Sequence, residues 1–235
     1  MPYYEHKTST KRPFTVWSSH QESKEPLRSK FISVAQQADW CMSPSIKYVK
    51  MLQANGISKV SQVRHGVDLD AFRPLAAQKN TSKLTIGAVC RSYASTTRKN
   101  EQLLSKIAAL DFVDLMITGG KIGEEDMPRF YSECDLIVQT SLIEGGSMAI
   151  TEGLACGRPI LCYAGVGVAD EFEHGVIRAV YNDDTDFLGR IRDFWISDKD
   201  YYRQPQTQQL LRSQVEQHTW QNFVKGHDDI WQSLV

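Results

Sequence analysis

The stretch from Lys83 to Tyr181 repeats one pattern often enough to leave few folds open: an apolar run, a polar break, an amphipathic segment, another apolar run. "KLTIGAV", "DLMITGG", "DLIVQTS", "RPILCYA" and "IRAVY" read as strands. "KNEQLLSKIAAL", "DMPRFYSEC" and "SMAITEGLAC" read as the helices between them, and "VADEFEHG" as a helix or turn. Strands apolar along most of their length are buried on both faces, and their alternation with helices predicts a parallel, doubly wound α/β sheet.

A second, smaller unit precedes it. "PFTVWSS" (13–19), "ADWCMS" (38–43) and "VSQVRHG" (60–66) are short apolar segments. Between the last two, Ile46, Val49, Met51 and Leu52 fit a helix, with Ser43-Pro44 as its start signal and Asn55-Gly56 as its stop. The turn-rich "GVDLDAFRPLAAQKNTSK" (66–83) is the natural connection. In the tail, Trp220, Phe223, Val224, Ile230, Trp231 and Leu234 space an amphipathic helix. The expected units are therefore 1–74, 75–212 and a terminal helix in 213–235.

With 41% hydrophobic and 23% charged residues, the 235-residue chain has the balance of a soluble globular protein. No apolar run reaches the roughly 18 residues of a membrane span, and "MPYYEHKTSTKRP" lacks the apolar core of a signal peptide, so a cytoplasmic protein is expected. Cys41, Cys90, Cys134, Cys156 and Cys162 form no CxxC pair and read as free thiols, with no metal site expected. The net charge of −1 hides an asymmetry: residues 1–100 carry 16 Lys and Arg against 6 Asp and Glu, whereas 101–235 carry 11 against 22. A basic first part suits nucleic acid, a membrane surface or a phosphorylated small molecule. Aromatic-interleaved basic repeats are absent, which favours the small molecule over nucleic acid.

The chemistry concentrates in "SLIEGGSMAITEGLACGRPILCY". "DLIVQTS" ends just before Glu144, Gly145 and Gly146, which places them on the rim of a parallel sheet, where ligands bind. The helix starting near Ser147 points unpaired N–H groups at that rim. Glu152, eight residues after Glu144 and a little over two helical turns on, can flank the same pocket. On the first strand's rim, "GAVCRSYASTTRKN" clusters Arg91, Arg98 and Lys99, cations able to offset charge on a leaving diphosphate. Amides and cations for phosphates, with carboxylates for hydroxyls, suit a nucleotide-sugar site. No GxxxxGK[ST] or GxGxxG follows a strand, which argues against a kinase or dehydrogenase.

"EGGSMAITE" with "ACGRPI" resembles the E-x7-E signature of retaining GT-B glycosyltransferases, particularly glycosyltransferase family 4. "ADWCMSPS", "VRHGVDLDAFRP", "GAVCR…RKN" and the tail are similar to further segments of that family, in the same order. The resemblance implies a GT-B-like fold of two Rossmann-like lobes, a UDP- or GDP-linked sugar as donor, no metal or other cofactor, and retention of anomeric configuration. The acceptor it implies is a glycan, lipid or protein. It assigns the donor diphosphate to Arg91 and Lys99, with Arg98 beside them; Lys99-Asn100 stands where the family has Lys-Gly. Glu144 would meet the donor sugar, the amides of Gly145, Gly146 and Ser147 the sugar or phosphate, and Glu152 the ribose. Lys121 and Ile122, in "GGKI", lie where the family holds the base. His20 is similar to a first-lobe histidine beside the donor sugar, and with Glu144 it forms the expected catalytic pair.

Only 13 residues precede "FTVWSSH", so the resemblance also implies a reduced N-terminal lobe, and the loop after "ITGG" is short for the family. A truncated sheet leaves an edge that a second copy, a partner chain or the basic N-terminal arm would cover. Peripheral membrane contact through Lys47, Lys50 and Lys59 is a further expectation, and a non-catalytic nucleotide-sugar binding module or a subunit of a split glycosyltransferase is the alternative function.

Overall fold

Two parallel sheets organise the chain, and alternate residues of their strands feed different cores. The structure, a computed structural model, describes residues 13–18, 25–75, 82–90 and 99–234. In the first lobe, strands β1 (Thr15–Trp17), β2 (Trp40–Ser43) and β3 (Val60–Gln62) pair in that order. Helices α1 (Leu27–Ala35) and α2 (Ile46–Ala54) make the crossovers. The order never reverses, so right-handed connections put both helices on one face. Val16, Cys41, Phe31, Val49 and Leu52 fill that side.

The other face, carrying Trp17, Trp40 and Met42, receives no helix from its own lobe among the described residues. The last helix supplies the cover, as described below.

The second lobe holds β4 (Leu84–Ala88), β5 (Val113–Ile117), β6 (Leu136–Gln139), β7 (Ile160–Tyr163) and β8 (Val176–Ala179). They form one all-parallel sheet in the order β5-β4-β6-β7-β8. Helix α3 (Glu101–Ala108) links β4 to β5, and α4 (Met127–Glu133) carries the chain back across to β6. The order therefore reverses between β4 and β6, the switch point where open α/β sheets bind ligands beyond the strand ends. Helix α5 (Met148–Ala155) follows β6, and α6 (Asp184–Asp193) follows β8. Helices α7 (Lys199–Tyr202) and α8 (Pro205–Ser213) then lead to α9 (Trp220–Ser233). Leu84, Ile86, Leu136 and Leu161 pack with α3 and α6, while Ile137, Ile160 and Cys162 pack with α4, α5 and α8. The sheet is thus covered on both sides, as its apolar strands predict.

Beyond β5 the chain makes a turn and a single 3₁₀ turn, Glu124–Asp126, before α4. That is the short loop after "ITGG". Strand β5 is left at the sheet edge with Ile117 half exposed. "VADEFEHG" is a 3₁₀ turn at Ala169–Glu171. No helix among the described residues is long and apolar enough to cross a membrane.

Helix α9 crosses back to the first lobe. Ile230 packs with Met42 and Val63, and Phe223 and Leu234 join them against the sheet face that α1 and α2 leave bare. Its start is fixed by Thr219, whose hydroxyl accepts from Asn222 N at 3.1 Å. Just before it, Val67 N donates to the His218 carbonyl at 2.8 Å. The approach at Gly66 is very close: a Cβ there would lie 2.5 Å from Trp220 N and 2.6 Å from Trp220 Cα. Backbone cannot swing aside like a long side chain. Gly66→Ala is expected to lift the start of α9 and to cost about 1–3 kcal/mol, the range for overpacking. A lower urea midpoint checks it.

Candidate active site

The rim of the second sheet on either side of the switch point carries most of the chemistry. Thr140, directly after β6, donates its hydroxyl to the Lys99 carbonyl at 2.6 Å. This holds the Lys99 backbone over the neighbouring strand end. The Lys99 ammonium then forms an ion pair with the Glu144 carboxylate, in the loop between β6 and α5. Their side chains are only 15% and 12% exposed, so the pair lies largely out of water. Asn100 follows with φ 48° and ψ 58°, a left-handed conformation that glycine and asparagine tolerate best. The Lys-Asn of this chain therefore meets the backbone demand that a Lys-Gly would meet.

Gly145, Gly146 and Ser147 run from Glu144 into α5, and no side chain among the described residues caps the helix start. Its first N–H groups face the rim, an arrangement suited to an anion. The glycine at 146 has a reason of its own. A Cβ there would stand 2.6 Å from Pro44 Cβ and 2.7 Å from His65 Cδ2, so the first lobe comes very close at this point. His65 is wedged between Trp17 and Phe223, with ring centroids at 5.5 and 5.9 Å. Burial and the neighbouring His227 lower its pKa, in keeping with a structural role for this histidine.

Further along α5, Glu152 is half-buried and accepts a hydrogen bond from the Tyr131 hydroxyl of α4 at 2.6 Å. Burial pushes its carboxyl above the ordinary value; the Tyr131 bond works the other way, and Glu124 adds to the rise. Glu124 opens the 3₁₀ turn beyond β5. In the "GGKI" loop, Lys121 is exposed with its N–H on the Thr118 carbonyl, and Ile122 is half-buried against the core under α4 and α5.

On the side of Glu144 toward β7 and β8, a cleft of about 350 Å³ opens between the lobes, lined by Lys47 and Tyr48 of α2 and by Leu142, Glu144, Gly165 and Tyr181. Tyr48 donates its hydroxyl to the Glu144 carbonyl oxygen at 3.2 Å, and the Lys47 ammonium reaches the Gly165 carbonyl at 2.6 Å. The first lobe thus touches the carboxylate's own loop.

Of the residues singled out in the sequence, Lys99 and Glu144 meet directly, and Gly145, Gly146 and Ser147 lead from them to Glu152. Lys121 and Ile122 lie beyond the neighbouring strand, β5. His20, Arg91 and Arg98 fall outside the described residues. Sequence reasoning missed Tyr131, which reads as one more apolar position of a short helix, and Tyr48, whose ring is core while its hydroxyl is not.

Residues 65–209, more than half of the chain, match the family model described as glycosyl transferases group 1. The chain belongs to this family. No curated protein matches it. Solved structures similar to this group 1 glycosyl transferase chain include sucrose-phosphate synthase from Thermosynechococcus elongatus, at 16% identity and TM-score 0.70 over 90% of this chain and 62% of that one. HepE of Anabaena, solved with UDP and glucose, shares 14% identity at TM-score 0.71 over 95% of this chain and 71% of HepE. A mutant of S. aureus TarM, solved with fondaparinux, alpha-GlcNAc-glycerol and UDP, shares 11% at 0.69, over 92% of this chain and 50% of TarM. The likeness establishes a GT-B-like α/β fold with Rossmann-like parallel sheets. The group 1 chain described here spans about three-fifths of the length of the synthase.

The state of Glu152 gives a stability test. A carboxyl whose pKa is raised in the fold binds its proton more tightly folded than unfolded, so ionising it opposes folding as pH climbs through the folded value. Glu152→Gln is expected to be more stable than the parent at pH 7. The gap should close as pH falls below the ordinary value of 4.5. Urea midpoints at pH 7 and pH 4 check both parts.

Proposed function

We propose that this protein transfers a sugar from a nucleoside diphosphate to an acceptor, with retention, without a metal, and in the manner of glycosyltransferase family 4. The observation that carries the reading is the Lys99–Glu144 pair, set at the switch point beside the uncapped start of α5, in a chain of the group 1 family. A donor diphosphate competes with Glu144 for the Lys99 ammonium. Its arrival frees the carboxylate to accept from sugar hydroxyls, while the amides of Gly145, Gly146 and Ser147 take up phosphate or sugar oxygens. Arg91 and Arg98, in the same loop by sequence, add positive charge where the leaving group gathers negative charge. That supply of cations is the support for metal independence. Glu152, turned by Tyr131, is proposed to accept from the ribose hydroxyls, with Lys121 and Ile122 along the base. His20 is proposed to stand beside the transferred sugar.

UDP is the favoured leaving nucleotide because HepE and TarM were solved with it. The cleft under Lys47, Tyr48 and Tyr181 is proposed as the acceptor side, and a glycan as the acceptor class.

Calorimetric titration with UDP and UDP-glucose tests the division of labour. Glu152→Ala is expected to weaken UDP itself by about tenfold, roughly 1.4 kcal/mol. Glu144→Ala removes the competitor for Lys99, so it should not weaken UDP, and should weaken only the sugar-bearing ligand. Equal losses of free UDP in both variants would contradict these roles, and binding abolished by EDTA would contradict metal independence. Tight binding with no sugar transfer and no donor hydrolysis would instead favour a binding module.

A further inference from the structure

We infer that Asp184 is a positioning residue that, through Asn100 and Tyr163, sets the Lys99 backbone so that its ammonium meets Glu144. The inference rests on the reading above that Lys99 serves the donor phosphates.

Asp184 is the first residue of α6, yet it does not cap that helix. Asp183 does so, accepting from Thr185 N at 2.9 Å and Asp186 N at 3.0 Å. Asn100 stands in the cap position of α3 and makes no side-chain cap either. Asparagine and aspartate at helix starts ordinarily spend their polar atoms on the helix's orphan N–H groups. Here these two spend them on each other: Asn100 Nδ2 donates to Asp184 Oδ1 at 3.1 Å. The same Nδ2 lies 3.2 Å from the Tyr163 hydroxyl, which donates to Asp184 Oδ1 at 2.7 Å. Lys106, on the second turn of α3, closes the other side with its ammonium 2.8 Å from Oδ2.

The arrangement spans the rim. Tyr163 ends β7 and Asn100 follows the loop from β4, so their contact passes over the end of β6, the strand between them. Thr140, from the end of β6, holds the Lys99 carbonyl. The backbone of Lys99 and Asn100 is therefore pinned from both sides, in a left-handed turn, while the Lys99 side chain is left to the site. The Tyr163 ring is fully buried and gives the network a rigid post. Burial tends to raise the Asp184 carboxyl, but the hydrogen bonds from Lys106, Tyr163 and Asn100 outweigh it and hold the group below its ordinary value, as a charged hub requires.

A double-mutant cycle separates positioning from a merely structural role. Lys99→Ala and Asp184→Ala are each expected to weaken UDP by about tenfold, and the double variant by no more than either alone, because Asp184 acts through Lys99. An unchanged UDP affinity in Asp184→Ala, or losses that multiply in the double variant, would overturn the inference. If Asp184→Ala does not fold, Tyr163→Phe replaces it, removing one hydroxyl from the network; its smaller loss should likewise vanish in the Lys99→Ala background. Should the parent bind no nucleotide, the functional reading fails on its own. Amide hydrogen exchange over residues 99–104 then decides the matter. Faster exchange in Asp184→Ala upholds the positioning role, and unchanged exchange refutes it.

Discussion

The geometry of the mouth depends on one carboxylate. Glu171, in the 3₁₀ turn between β7 and β8, has a side chain only 7% exposed and accepts from three residues of the other lobe. Ile46 N, at the start of α2, donates to Oε1 at 2.8 Å. The Gln62 amide and the Arg64 guanidinium reach Oε2 at 2.5 and 3.0 Å. A charge so nearly buried is costly unless its lone pairs are used, and a helix start is a favourable place to use them. Ser45 adds a second tie, its hydroxyl donating to the Gly167 carbonyl at 2.9 Å. Together they fix the height at which Pro44 and His65 press on Gly146, and so the course of the chain from Glu144 into α5.

Within that frame the site works against its own stability. Glu152 is held where burial resists its ionisation, and Lys99 and Glu144 pair with each other largely out of water. Charged groups of this kind contribute little to folding and much to binding phosphates and hydroxyls. The apolar layers under α3, α4, α5 and α6 carry the stability, which leaves the rim free to be polar.

The second lobe was legible because its strands are short, apolar on both faces and separated by helices with clear spacing. The parts the sequence hid share a physical cause. Helices α1, α6 and α8 each bury just two side chains one turn apart: Phe31 and Ala35, Phe187 and Ile191, Thr207 and Leu211. Two anchors make too faint a stripe to stand out from polar surroundings. The rim residues Lys99, Glu144, Gly146 and Glu152 could be named from local motif and strand position. Tyr131, Asn100 and Asp184 could not, because what matters about them is which distant residue each one faces. Gly146 could be placed on the rim, but its packing against Pro44 and His65 could not be read, since these lie about a hundred and about eighty positions earlier in the chain.

Helix α9 also bears on how the molecule is made. Domains are commonly completed in the order in which they leave the ribosome. The first lobe does not follow that rule, because the face carrying Trp17, Trp40 and Met42 is covered by Phe223, Ile230 and Leu234 of the last helix. A nascent chain that has already finished its second sheet still exposes two tryptophans on the first. The first lobe is thus sealed after the second, and a chaperone meeting this protein during synthesis would find its binding surface on the bare face of the first sheet.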